Sequence, residues 1–95
     1  MNEAMTFEWD ENKRLSNLAK HGLDFADALR VFQDPYRKDD VDDRKNYGEA
    51  RVNTIGVFID EVIIVVTHTN RNSVTRLISA RRANKKERRN YYGNR

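Results

Sequence analysis

The sequence predicts an α+β fold: a four-stranded antiparallel sheet with two N-terminal helices and one C-terminal helix, the helices packed on one sheet face and the other left partly open. Three observations predict it. A short alternating run precedes two helix-period stretches, three strand-like runs with brief turns follow, and a Lys/Arg-rich helical segment closes the chain.

Met5, Phe7 and Trp9 alternate with Thr6 and Glu8, the period of a strand with one buried face. Asp10 stands where a helix N-cap belongs, with Glu11 in the first turn. Leu15, Leu18 and Ala19 are spaced for one apolar face, and Gly22 should end that helix. Asp24 is a second N-cap, and Phe25, Ala28, Leu29 and Phe32 form an amphipathic stripe that Pro35 stops.

Residues 34–49 carry almost no apolar content apart from Tyr36, Val41 and Tyr47, and read as one long loop. Three strand-like runs follow at about 51–58, 62–68 and 74–80, with turn-rich links that imply an antiparallel meander. The middle run, VIIVV, is apolar on both faces and belongs in the sheet centre. Residues 83–92, rich in Lys, Arg and Glu, read as the final helix.

Ninety-five residues suffice for a single domain, 1–95, with one small core. There is no cysteine, and two isolated histidines do not make a zinc or iron site, so no metal or cofactor is expected. The longest apolar run, at 62–66, is far short of the roughly 20 residues of a membrane helix. The start of the chain is acidic without a signal-peptide core, so a soluble, cytoplasmic protein is expected.

Charge is unevenly placed. Residues 71–95 hold nine Lys/Arg against one acid, Glu87, although the whole chain is only +3. A basic segment ending in two adjacent tyrosines is the footprint of a polyanion partner, with nucleic acid the first candidate.

Lys13, Asn17, Lys20 and His21 recur at helical spacing on one face of the first helix. The row contains no acid, so it suits a phosphate better than self-neutralising surface pairs, although a solvated face has the same spacing. His21 fits general acid or base work, and equally fits a helix C-terminal dipole. His68 reads as a packing or edge residue. On the last strand, simple alternation puts Arg76, Ile78 and Ala80 on one face and Thr75, Leu77, Ser79 and Arg81 on the other. A mid-strand Arg76 needs a partner, which a structural carboxylate or a scissile phosphate would supply. Glu87 either buffers its basic neighbours or takes part in chemistry.

RNA cleavage without a metal needs a base for the 2′-OH, cations for the phosphorane and an acid for the leaving oxygen. Lys20, His21, Arg76, Arg81, Glu87 and Tyr91 are the catalytic candidates. Lys13, Asn17, Ser79, Arg82, Lys85, Lys86 and Arg89 are the RNA-binding candidates.

The segments FEWDENKRLSNLAKHGLDFADALRVFQDP, DDRKNYGEARVNTIGVF and RLISARRANKKERRNYY resemble the BrnT family of type II toxin-antitoxin ribonucleases, from Phe7 to Tyr91. Two patterns carry the resemblance: W-D-x-x-K-x-x-x-N-x-x-K-H-G-x-x-F from Trp9 to Phe25, and I-S-A-R-x-A-x-x-x-E from Ile78 to Glu87. The resemblance implies a RelE-like fold and metal-independent RNA cleavage that arrests translation. It also implies a small DNA-binding antitoxin, BrnA-like, from a neighbouring gene, and allows a homodimer within the toxin-antitoxin complex. The competing reading is a non-catalytic domain that binds nucleic acid or an antitoxin, since phosphate contact alone needs only Lys and Arg.

Overall fold

The computed structural model describes residues 5–43 and 48–93; residues 1–4, 44–47 with Tyr47, and 94–95 with Arg95 lie outside the described residues. The chain runs β1 (Phe7–Trp9), α1 (Glu11–His21), α2 (Phe25–Ala28) continuing into a 3-10 turn (Leu29–Gln33), β2 (Lys38–Asp42), β3 (Arg51–Ile59), β4 (Val62–Arg71), β5 (Val74–Arg82) and α3 (Lys85–Gly93).

Local signals set the helix ends as expected. The Asp10 carboxylate accepts from the backbone N–H of Lys13 at 3.0 Å, and Asp24 accepts from that of Ala26 at 3.0 Å. Gly22 closes α1 at φ 71°, a left-handed geometry that glycine adopts without steric cost.

The sheet differs from the expectation in three respects. It has five strands, in the order β1-β5-β4-β3-β2, and the added strand is β2, inside the stretch read as a loop. Its K-D-D-V-D sequence has no buried-strand signature because it is an edge, paired on one side only, from Lys38 opposite Ile55 to Asp42 opposite Arg51. Second, the sheet is mixed: β1 runs parallel to β5, with Phe7 opposite Thr75 and Trp9 opposite Leu77.

Third, helices cover both faces. Leu23, Phe25, Ala28 and Val31 from the first helical layer pack with Ile64, Val66, Leu77 and Ala80. On the opposite face Ala83 and Tyr91, from the segment leading into and forming α3, pack with Ile55, Ile63 and Val65. β4 serves both cores, which is why its run is apolar at every position.

α1 is also turned over relative to the expectation. Leu15 and Leu18 are 50% and 37% exposed, whereas Asn17 is the buried residue of the helix, at 7%. The reason is the open edge of β5. β1 pairs with it only as far as Leu77, and α1 lies over the backbone beyond, where unpaired N–H and C=O groups call for an amide rather than a leucine.

The junction between the layers is Asp34. Its Oδ1 accepts from the N–H of Tyr36 at 2.8 Å, while Oδ2 accepts from the N–H of Val57 at 2.8 Å and the hydroxyl of Tyr91 at 2.5 Å. One carboxylate thus ties the end of the 3-10 turn to β3 and α3. Gly56 permits the approach: a Cβ there would lie 2.8 Å from Val31 Cγ2 and 3.1 Å from Asp34 Oδ2.

Candidate functional site

The site starts from an irregularity in β5. Thr67 pairs with Ser79 but His68 pairs with Leu77, so Ile78 is an extra residue, a β-bulge. Strict alternation would put Arg76 and Arg81 on opposite faces, as the sequence suggests. The bulge resets the alternation instead. Arg76 stands opposite Thr69, Ser79 opposite Thr67 and Arg81 opposite Val65, all on the α3 side, while Leu77 and Ala80 both enter the core under α1 and α2.

Each arginine is held by a carboxylate. Arg76 Nη1 donates to Glu8 Oε2 at 3.0 Å, across the β1/β5 pair in which these residues are direct neighbours. Arg81 makes a two-pronged contact with Glu87, Nη1 to Oε1 at 2.8 Å and Nη2 to Oε2 at 2.9 Å. Glu87 is fixed in turn by a reciprocal cap: its Oε1 accepts from the N–H of Asn84 at 2.9 Å, and its own N–H donates to Asn84 Oδ1 at 2.8 Å. The hydrogen bonds from Arg81 hold its carboxyl below the ordinary value of 4.5, against an opposing effect of burial. Glu87 therefore orients Arg81 rather than merely diluting the charge of the helix.

Between the arginines the sheet floor is polar. Asn53, Thr67 and Ser79 form a cross-strand row on β3, β4 and β5, and the Thr67 hydroxyl donates to Asn53 Oδ1 at 2.6 Å. On the other side of the β5 edge, Lys13, Ser16, Lys20 and His21 of α1 line a cleft of about 310 Å³ with Ile78 and Ser79. The structure thus brings the α1 cations and imidazole to the bulge, and Ser79 borders that cleft while its strand register faces the floor. Arg82, Lys85, Lys86 and Arg89 are exposed beyond Arg81, on the end of β5 and along α3.

Two sequence candidates are placed otherwise. Its place in the α1 polar row makes Asn17 an RNA-contact candidate, but its amide is spent on backbone: Nδ2 donates to Leu23 O at 3.1 Å and Ala80 O at 2.9 Å, and Oδ1 accepts from the N–H of Ala80 at 3.0 Å. Tyr91, read as catalytic, is 1% exposed with its hydroxyl on Asp34. Glu8, Asn53 and Thr67 were not singled out by sequence reasoning. The alternation of Phe7, Glu8 and Trp9 marks Glu8 as facing away from the apolar side, but only the parallel pairing shows that Arg76 meets it.

On the face covered by α1 and α2, His68 Nε2 lies 2.7 Å from Thr54 Oγ1, which donates to Asp39 Oδ1 at 2.6 Å, and its ring meets Phe32 edge-on at 5.1 Å. Burial lowers the imidazole pKa, partly offset by the nearby Asp39 charge. The packing role expected for His68 fits this setting.

A family model described as "Ribonuclease toxin, BrnT, of type II toxin-antitoxin system" matches residues 9–87. The 1.1 Å crystal structure of the Brucella abortus ribonuclease toxin BrnT is similar to this chain, with 37% sequence identity, a TM-score of 0.65, and coverage of 86% of this chain and 100% of that one. None of the curated proteins searched matches the chain.

Proposed function

Because the chain belongs to the BrnT family of ribonuclease toxins of type II toxin-antitoxin systems, we propose that it cuts RNA without a divalent metal, at the bulged edge of β5. The observation that carries this reading is the bulge at Ile78, which gathers Arg76, Ser79 and Arg81 on one face while Ile78 and Ser79 also border the cleft lined by Lys20 and His21 of α1.

RNA lies across the polar floor with the scissile phosphate near Arg81. His21 takes the proton of the 2′-hydroxyl, the 2′-oxygen bonds to phosphorus, and the 5′-oxygen leaves with a proton from solvent. Arg81, Arg76 and Lys20 meet the negative charge of the phosphorane, a service that fixed donors provide without reorganisation. Glu87 and Glu8 hold the two guanidinium groups in place, and Lys13, Arg82, Lys85, Lys86 and Arg89 bind flanking phosphates. Asn17 and Tyr91 keep the scaffold together. Among the described residues no group of three or more His, Cys, Asp or Glu side chains is placed to hold a metal ion, and the cationic side chains can supply the charge that a metal would.

A type II family implies an antitoxin partner. The partner neutralises by covering the basic surface of β5 and α3, because the charges that attract RNA also attract an acidic or amphipathic segment.

Purified protein should cleave RNA in EDTA and leave 2′,3′-cyclic phosphate ends. His21→Gln should slow cleavage by more than about tenfold. Cleavage lost in EDTA and restored by magnesium would overturn the mechanism.

A further inference from the structure

The α3 side of the sheet carries a second, smaller cleft next to the Arg81–Glu87 pair. It lies between the β2 edge, β3 and α3, with a volume of about 110 Å³. Ile55 and Val65 form its apolar floor, Glu87 is part of its wall, and Lys38, Asp40, Asn53 and Asn90 supply its polar rim. The register explains the grouping: Lys38 stands opposite Ile55 and Asp40 opposite Asn53, so the two outward residues of the edge strand border one apolar patch.

We infer that this cleft binds a single guanine base of the RNA, a step that rests on the placement of the scissile phosphate at Arg81. The volume is well below the roughly 300–1,000 Å³ of pockets that enclose drug-sized ligands, and suits one heterocyclic edge rather than a nucleotide. An apolar floor with a few directed polar groups is how unstacked bases are held and read.

The rim sets the base. The Asp40 carboxylate is exposed, makes no hydrogen bond or ion pair with the described residues, and as an ionised group only accepts. Asn53 Oδ1 is occupied by the Thr67 hydroxyl, which leaves its amide hydrogens to donate, and Lys38 is a second donor. Guanine alone presents two adjacent donors, N1–H and N2–H, to one carboxylate, with the O6 acceptor beside them for Asn53 or Lys38. Adenine and cytosine offer a single donor flanked by an acceptor, and uracil offers one N–H between two carbonyls. Because Glu87 both lines this cleft and orients Arg81, a base held here sits next to the phosphate under attack and selects where the chain is cut.

The test uses the full-length protein with methyl-labelled Ile and Val, titrated separately with the 5′-monophosphates of guanosine, adenosine, cytidine and uridine. Guanosine monophosphate should move the Ile55 and Val65 methyl signals saturably, and uridine monophosphate should not. Asp40→Asn, which keeps the shape but turns a donor toward the guanine donors, should weaken the guanosine response by about tenfold or more, the discrimination typical of a two-bond base contact. Cleavage maps of a mixed RNA should show cuts concentrated beside guanine in the parent protein and spread across bases in the variant. Ile55 and Val65 signals that ignore all four nucleotides, or respond equally to uridine and guanosine, overturn the assignment, as does an unchanged cleavage pattern in Asp40→Asn. Base-indifferent cleavage would remove the guanine cleft and leave the ribonuclease centre standing. Selective guanosine shifts in a protein whose Arg81→Ala variant cleaves as fast as the parent would do the reverse.

Discussion

Asn17 on α1 exchanges two hydrogen bonds with the backbone of Ala80 on β5, and so takes the place of the strand neighbour that β1 stops supplying after Leu77. A third bond, to Leu23 O, holds the chain where it leaves the helix. The side chain is therefore part of the sheet ladder in all but covalent origin, and it fixes the α1 cleft against the bulge.

Replacing Asn17 with Ala should cost about 3 kcal/mol, since it leaves several buried backbone groups without partners at roughly 1–3 kcal/mol each. Leu15→Ala, at a half-exposed position, should stay within about 0.5 kcal/mol. Urea unfolding of both variants decides the matter, and the opposite ranking would return the leucines to the core.

Arg81→Lys keeps the charge but not the two-pronged contact with Glu87, because an ammonium is a point donor. Cleavage should fall by about 10²-fold, the order lost when one transition-state donor is misplaced, while circular dichroism stays that of the parent. Full activity in the lysine variant would show that geometry at Arg81 is unimportant.

Tyr91→Phe should lower stability by about 1–2 kcal/mol, the cost of a buried carboxylate deprived of one donor, with cleavage per folded molecule unchanged. A collapse of activity in a stably folded variant would move Tyr91 from the scaffold to the reacting centre.

Burial holds the His68 imidazole below its ordinary value of 6.5. Below that value the unfolded chain takes up a proton that the folded chain resists, so this residue's contribution to stability is present above it and is lost on acidification. Denaturation midpoints should fall between about pH 7 and pH 5, and the fall should be shallower in His68→Gln. Equal slopes in the two proteins would place the titrating group elsewhere.

Much of the fold was legible because its signals are local. Asp10, Asp24 and Gly22 mark helix ends through bonds within a turn of themselves, and the apolar run of β4 announces a strand buried on both sides. The same holds for the charge of the final segment, which needs no fold to be seen. β2 was not legible: an exposed edge strand makes few demands on its side chains, and K-D-D-V-D resembles a loop until β3 pairs with it.

For the site, composition and spacing supply the inventory: a chain without cysteine, with Lys13, Lys20 and His21 on one helix, Arg76, Ser79 and Arg81 on one strand, and Glu87 in the closing helix. Tertiary structure decided who meets whom. A strand read in isolation alternates, so Arg76 and Arg81 fall on opposite faces; only pairing with β4 reveals the extra residue at Ile78 that brings them together. A helix read in isolation turns its leucines inward; only the unpaired edge of β5 makes Asn17 the better residue to bury, because a backbone donor and acceptor left without partners cost more than two leucines half exposed to water.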